Sequence, residues 1–194
     1  ARAPVDIDFV DQLSLGMISV SAYLENERSA DLRSEYVRGR SVPLIGANPT
    51  HDQLCMRLAR ALRARLNEGE HRLYRPTVKL HIRDGRDERY YYPDLQIAEA
   101  DTWEHPDYLE RPVLLVEVFT AADEARIRRE KLPAYLGIQS LQELVLIGVD
   151  PPTAEVYRRG DGWTIHEVGA SGTLRLETID AEIGLSGLFA ASRS

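Results

Sequence analysis

The sequence predicts a mixed α/β domain: one central sheet flanked by helices, with an additional β-hairpin region toward the C-terminus. Three observations lead there. "VLLVEVF" (113–119) is apolar at nearly every position, as a strand covered on both faces must be. "HDQLCMRLARALRARLNEG" (51–69) sets Leu54, Leu58, Ala61, Leu62 and Leu66 at helical spacing. Short alternating runs are punctuated by Arg38-Gly39, Asp84-Gly85 and Gly160-Asp161-Gly162, which suit tight turns between strands.

The elements follow in order. Ser19 or Ser21 can cap a first helix through "SAYLENERS". "SEYVRGRSVPLIGA" (34–47) then alternates like a hairpin around Arg38-Gly39. Thr50 opens the amphipathic helix, which turns an arginine-rich face outward and stops at Gly69. A strand near 72–83, the Asp84-Gly85 turn and a second strand running into "YYYPDLQIAE" (90–99) make a meander. "WEHPDYLERP" (103–112) is a loop before the apolar strand. "ADEARIRREKLPAYLGI" (122–138) reads as a helix that Pro133 kinks or ends. "LQELVLIGVD" (141–150) is a second buried strand. After the turn at Pro151-Pro152, "AEVYRRG" and "GWTIHEV" pair as a hairpin, and a short strand and helix close the chain.

No repeat, low-complexity segment or linker interrupts the 194 residues, so residues 1–194 are expected to form one domain. Apolar residues at 43% and charged residues at 28% are a globular balance. No apolar run is long enough to cross a bilayer, so no membrane partner is expected. A single cysteine, Cys55, excludes an intrachain disulfide framework and suits a reduced thiol in a cytoplasmic protein, most simply as a small apolar helix residue. The net charge of −7 argues against a general nucleic-acid coat protein but leaves room for a local basic groove. All 24 basic residues except Lys79 and Lys131 are arginine.

Glu117 is the main chemical oddity, a carboxylate inside a strand that is apolar around it. Unpaired and ionised, it would cost several kcal/mol. Asp94 poses the same problem one strand earlier, after a proline that cannot donate to a ladder. Two embedded acids on consecutive strands are most simply reconciled by one cation between them. Oxygen ligands suit Mg²⁺ or Mn²⁺ over Zn²⁺. The five histidines are scattered, with no HExxH or Cys/His cluster. The structural alternative has Asp94 capping a turn and Glu117 paired with an arginine.

"YYYPD", "LLVEVF" and "REKLPAYLGI", in that order and spacing, resemble the Uma-two family of restriction-endonuclease-like proteins, in the PD-(D/E)XK nuclease superfamily. The resemblance extends from "VSAYLENERSADLRSEYVRGR" through "NPTHDQLCMRLARALRARL" to "LQELVLIGVDPPTAEVYRR". It implies a restriction endonuclease-like fold, a Mg²⁺ or Mn²⁺ cofactor and a nucleic-acid substrate, DNA before RNA. It also implies Asp94, Glu117 and Glu35 as metal-binding acids and Lys131 as the catalytic lysine, carried on the helix instead of the strand. The Val118 carbonyl is a further candidate ligand, and His51 and Tyr135 match positions expected to support the site. Arginines of the 50–68 helix and of 126–129 are candidate phosphate contacts. The chain departs from the family pattern at "TAAD" (120–123) and at Ile127. These departures motivate the alternative of a nuclease fold kept as a binding or assembly module. A carboxylate-pair glycosidase lacks an aromatic-lined cleft in the sequence. A homodimer through "VLIGV" (145–149) and Leu185–Phe189 is compatible with the resemblance. The tyrosine run 90–92 is expected to pack on the sheet with one ring at the surface.

Overall fold

The computed structural model describes residues 17–44, 48–102 and 105–190, which form two compact units. Of the described residues, the first takes 17–44 together with Leu80–Tyr91; the second takes 48–79, 92–102 and 105–190.

In the first unit, helix α1 (Val20–Ser29) starts at Ser19, whose side chain accepts the Ala22 N–H. Strands β1 (Ser34–Val37) and β2 (Arg40–Pro43) form the expected hairpin. Its two turn residues, Arg38 and Gly39, both have positive φ (49° and 88°), as the twist of a two-residue hairpin requires. β1 also pairs with β5 (Asp87–Tyr91), and β5 pairs with the run of β4 (Lys79–Asp84) from Leu80 onward. Tyr23, Tyr36 and Tyr90 pack their rings together in this unit, in tilted and edge-on pairs. Tyr90, Tyr91 and Tyr92 are all buried, so no ring of the run reaches the surface.

The second unit is built on a six-stranded sheet in the order β11-β10-β9-β8-β6-β3. Its strands are β3 (His71–Tyr74), β6 (Leu95–Glu99), β8 (Pro112–Phe119), β9 (Glu143–Gly148), β10 (Thr153–Arg158) and β11 (Ile165–Gly169). A two-residue strand, β7 (Tyr108–Leu109), precedes β8. β8 and β9 run parallel; the other neighbours are antiparallel. All eight residues of β8 are buried, as its composition predicts. Helix α2 (Pro49–Arg63) lays Leu54, Leu58 and Leu62 into one cluster with Leu114, Val116 and Val118 of β8. The ribbon β12 (Thr173–Leu176) and β13 (Ala181–Gly184) and the short helix α5 (Leu185–Phe189) add to that core.

Three expectations need revision. α2 is capped by Asn48, with Pro49 in its first turn, in place of Thr50, and it ends at Arg63, short of Gly69. The strand expected at 72–83 is two strands, because Arg75–Val78, with Pro76, cannot continue a ladder. The apolar residues offered for a homodimer are instead spent inside the fold: β9 is buried throughout, and Leu185 and Leu188 belong to the core. Among the described residues, no helix is long and apolar enough to cross a membrane.

Candidate active site

Pro93 decides where the site forms. Lacking an N–H, it ends the pairing that Tyr91 completes, and the chain leaves β5 and re-enters a ladder at Leu95. Asp94 therefore lies in a bend between strands and not within one. Leu95 pairs with Val116, and one step further along that register Asp94 comes level with Glu117. The ladder is replaced there by a side-chain bond: the Val118 N–H donates to Asp94 Oδ2 at 2.7 Å. The Val118 main chain thus meets Asp94 through its amide. His51, in the first turn of α2, brings Nε2 to 3.2 Å from Asp94 Oδ1. Hydrogen bonds to Asp94, and then to Cys55, push the His51 imidazole up to about pKa 11.

Glu117 is met by the segment after β8. Helix α3 (Glu124–Arg126) passes into a π-helical turn at Ile127–Lys131 and then into α4 (Leu132–Leu136). The Leu132 N–H reaches back five residues to the Ile127 carbonyl. Pro133 follows directly with no N–H to give, and the widened turn accommodates the missing donor without breaking the helix. Pro133 therefore does not end the helix, which continues to Leu136. On this segment Lys131 Nζ donates to Glu117 Oε1 at 3.0 Å, and the Tyr135 hydroxyl donates to the same oxygen at 2.5 Å. Residue exposures of 3% for Glu117, 6% for Lys131 and 0% for Tyr135 make this a desolvated, charge-compensated group.

Arg128, on the same turn, clamps the segment to the sheet. It holds Glu155 of β10 with both terminal nitrogens, at 2.9 and 2.7 Å, and Glu124 through Nε at 2.7 Å. The guanidinium holds the Glu155 carboxyl below its ordinary range. Arg126 is likewise bonded to Glu130. Of the arginines expected at phosphate, these two are thus engaged with carboxylates, while Arg129 is exposed. On α2, Arg57 donates to the Leu188 and Ala190 carbonyls at the end of α5.

Of the residues singled out in the sequence, Asp94, His51, Glu117, Lys131 and Tyr135 all lie in the second unit, gathered around the end of β8 at Glu117–Val118. Glu35 lies in the first unit, on β1, with no exposure. The donor chemistry around Glu117–Val118 suits a hard divalent cation: two carboxylates with little exposure, on adjoining segments, beside one lysine. A cavity of about 740 Å³ elsewhere on the second unit, lined by His71, Glu99, Glu143, Arg158, Asp161 and His166, contains none of these groups. Glu143 within it is committed to Arg158 and to the Glu177 and Thr178 amides, a structural assignment. Cys55 packs against the hydrophobic core, as the sequence predicts, and its Sγ also lies 3.8 Å from His51 Nδ1. The four-residue interval between His51 and Cys55, one helical turn on a common face, was the signal available.

Over residues 20–190 the sequence matches the Uma2 family, described as "Putative restriction endonuclease". It is 26% identical over 161 residues to the uncharacterized protein sll1609 of Synechocystis sp., covering 78% of this chain and 88% of that protein. A second Synechocystis protein, the uncharacterized slr1290, is 24% identical over 165 residues, covering 84% and 86%. Among solved structures, a putative nuclease of the DUF820 group from Anabaena variabilis superposes with a TM-score of 0.67 at 14% identity. That superposition covers 86% of this chain and 96% of the other, and it shows a shared fold.

Proposed function

Because the chain belongs to the Uma2 family, we propose that it hydrolyses phosphodiester bonds of DNA, with Mg²⁺ or Mn²⁺ held by Asp94 and Glu117 and with Lys131 as the catalytic lysine. The observation that carries this reading is the buried contact of Lys131 Nζ with Glu117, one register step from Asp94. A divalent ion bound there would supply positive charge against the phosphate and make water a better nucleophile.

The chain's own residues supply the rest. Asp94 is held by the Val118 amide, so its carboxylate enters the reaction already oriented. Lys131 is fixed by Glu117, and a primary amine can both donate a hydrogen bond to a phosphate oxygen and exchange a proton with water. An arginine cannot exchange that proton, which gives a reason for lysine in a chain that otherwise favours arginine. Tyr135 shares the Glu117 oxygen and limits the directions in which that carboxylate can turn. His51 lies against Asp94 on the side of α2 and restrains the second acid.

The test is cleavage of supercoiled plasmid, with single-stranded RNA as a parallel substrate. Nicked or linear plasmid forming with Mg²⁺ or Mn²⁺, and stopping when a chelator is added, is the expected result. Folded protein that leaves the plasmid intact in both metals would overturn the reading in favour of a binding module. Cleavage of RNA alone would overturn the assignment of DNA.

A further inference from the structure

We infer that His51, Cys55 and Asp94 form a second kind of metal site, a three-ligand zinc site that overlaps the proposed Mg²⁺ site at Asp94. Their ligand atoms all lie within 4.8 Å of one another. His51 Nε2 is 3.2 Å from Asp94 Oδ1, and Cys55 Sγ is 3.9 Å from the same nitrogen. Zinc bonds of about 2.3 Å to sulfur and about 2.0–2.1 Å to nitrogen or oxygen give tetrahedral edges of about 3.3–3.6 Å. Sγ lies almost equally far from the two ring nitrogens, 3.9 Å from Nε2 and 3.8 Å from Nδ1, so closing the triangle on a zinc-sized ion requires the thiol to swing toward the Nε2 edge of the ring.

Two further features favour a ligand set over chance proximity. His51 and Cys55 are one turn apart on α2, a regular helix of fifteen residues, so their relative placement is fixed by the backbone. The other ring nitrogen, Nδ1, lies 3.3 Å from the Asp52 carboxylate. A carboxylate behind a ligating imidazole is the arrangement that orients histidine on zinc and raises its basicity.

Thiolate and imidazole are softer donors than the two carboxylates, so this face of Asp94 selects Zn²⁺ or Co²⁺ where the Glu117 face selects Mg²⁺ or Mn²⁺. Binding replaces the Cys55 S–H proton, and any proton on the ligating His51 nitrogen, by the metal; both leave to solvent. Three protein ligands leave a fourth position open, suited to a water or an anionic oxygen. Zinc seated here would withdraw Asp94 from the Mg²⁺ site. That consequence rests on the proposed function; the zinc site itself does not.

Cobalt(II) spectroscopy tests the site without any cleavage assay. Wild-type protein titrated with Co²⁺ should develop a thiolate-to-metal charge-transfer band, saturating at one ion per chain and abolished by equimolar Zn²⁺. Cys55 is the sole cysteine, so that band can arise from no other thiol of the chain. Cys55→Ser should lose the band, and His51→Gln and Asp94→Asn should each weaken Co²⁺ binding about tenfold or more. No band in wild-type protein, or a band of unchanged affinity in both His51→Gln and Asp94→Asn, would overturn the inference. Plasmid cleavage with no cobalt band would leave the nuclease reading standing and this one refuted; a band with no cleavage would do the reverse.

Discussion

Glu117→Gln should reduce metal-dependent plasmid cleavage by about 10³-fold or more, with the protein still folded. The substitution keeps the volume and an acceptor for Lys131 and Tyr135, but it removes the charge that holds the ion. Losing roughly 4 kcal/mol of transition-state stabilisation corresponds to about three decades in rate. Asp94→Asn should behave alike, since an amide oxygen can still accept the Val118 N–H while the charge is gone. Near-ultraviolet circular dichroism on the same samples checks the fold. Equal cleavage by wild type and both variants would point to a contaminating nuclease and remove both acids from the mechanism.

The second large effect is on stability. Lys131→Met should lower the free energy of unfolding by about 3–5 kcal/mol, read from the urea midpoint, because it takes a cation away from a buried carboxylate. Combining it with Glu117→Gln should recover much of that loss, since a neutral pair has no uncompensated charge. The recovery is a coupling energy that a double-mutant cycle measures directly. Lys131→Arg separates the two roles of the lysine. It keeps the charge, so it should be the milder change in stability, yet it should cleave as poorly as Lys131→Met because a guanidinium does not give up its proton. Additive single and double substitutions would contradict the ion pair. Full cleavage by Lys131→Arg would contradict the proton-exchange role.

Much of this arrangement is legible in the sequence, and the parts that are not have a common cause. The burial of Glu117 follows from its neighbours, because a strand apolar on both faces has nowhere to expose a carboxylate. Ser19 as a cap, the Arg38-Gly39 hairpin and the buried face of α2 follow from local chemistry in the same way. What local chemistry does not carry is sheet membership. "YYYPDLQIAE" reads as one strand with two poor residues, whereas Tyr91 ends one ladder and Leu95 starts another, with Pro93-Asp94 as the passage between them. The proline and the aspartate are poor strand residues because they do not stand in a strand. The same holds for Arg75–Val78 between β3 and β4. The apolar "VLIGV" run has the composition of an interface strand and is instead the centre of the second unit's sheet, since composition cannot tell one burial from the other.

The π turn at Ile127–Lys131 was likewise beyond reach. Pro133 signals that a helical donor is missing, but a kink, an end and a widened turn all answer that signal. Tertiary contacts decide among them: Lys131 and Tyr135 both reach Glu117, while Arg128 holds the segment to β10. Cys55 packs against the core as its composition predicts, and its place beside His51 becomes visible only in the structure.

The most direct test of the proposed centre is a crystal soaked in Mn²⁺ and measured for anomalous scattering. The account predicts a peak within ligand distance, about 2.0–2.3 Å, of carboxylate oxygens of both Asp94 and Glu117. A well-ordered site with both carboxylates in place and no Mn²⁺ peak between them at millimolar metal would contradict it.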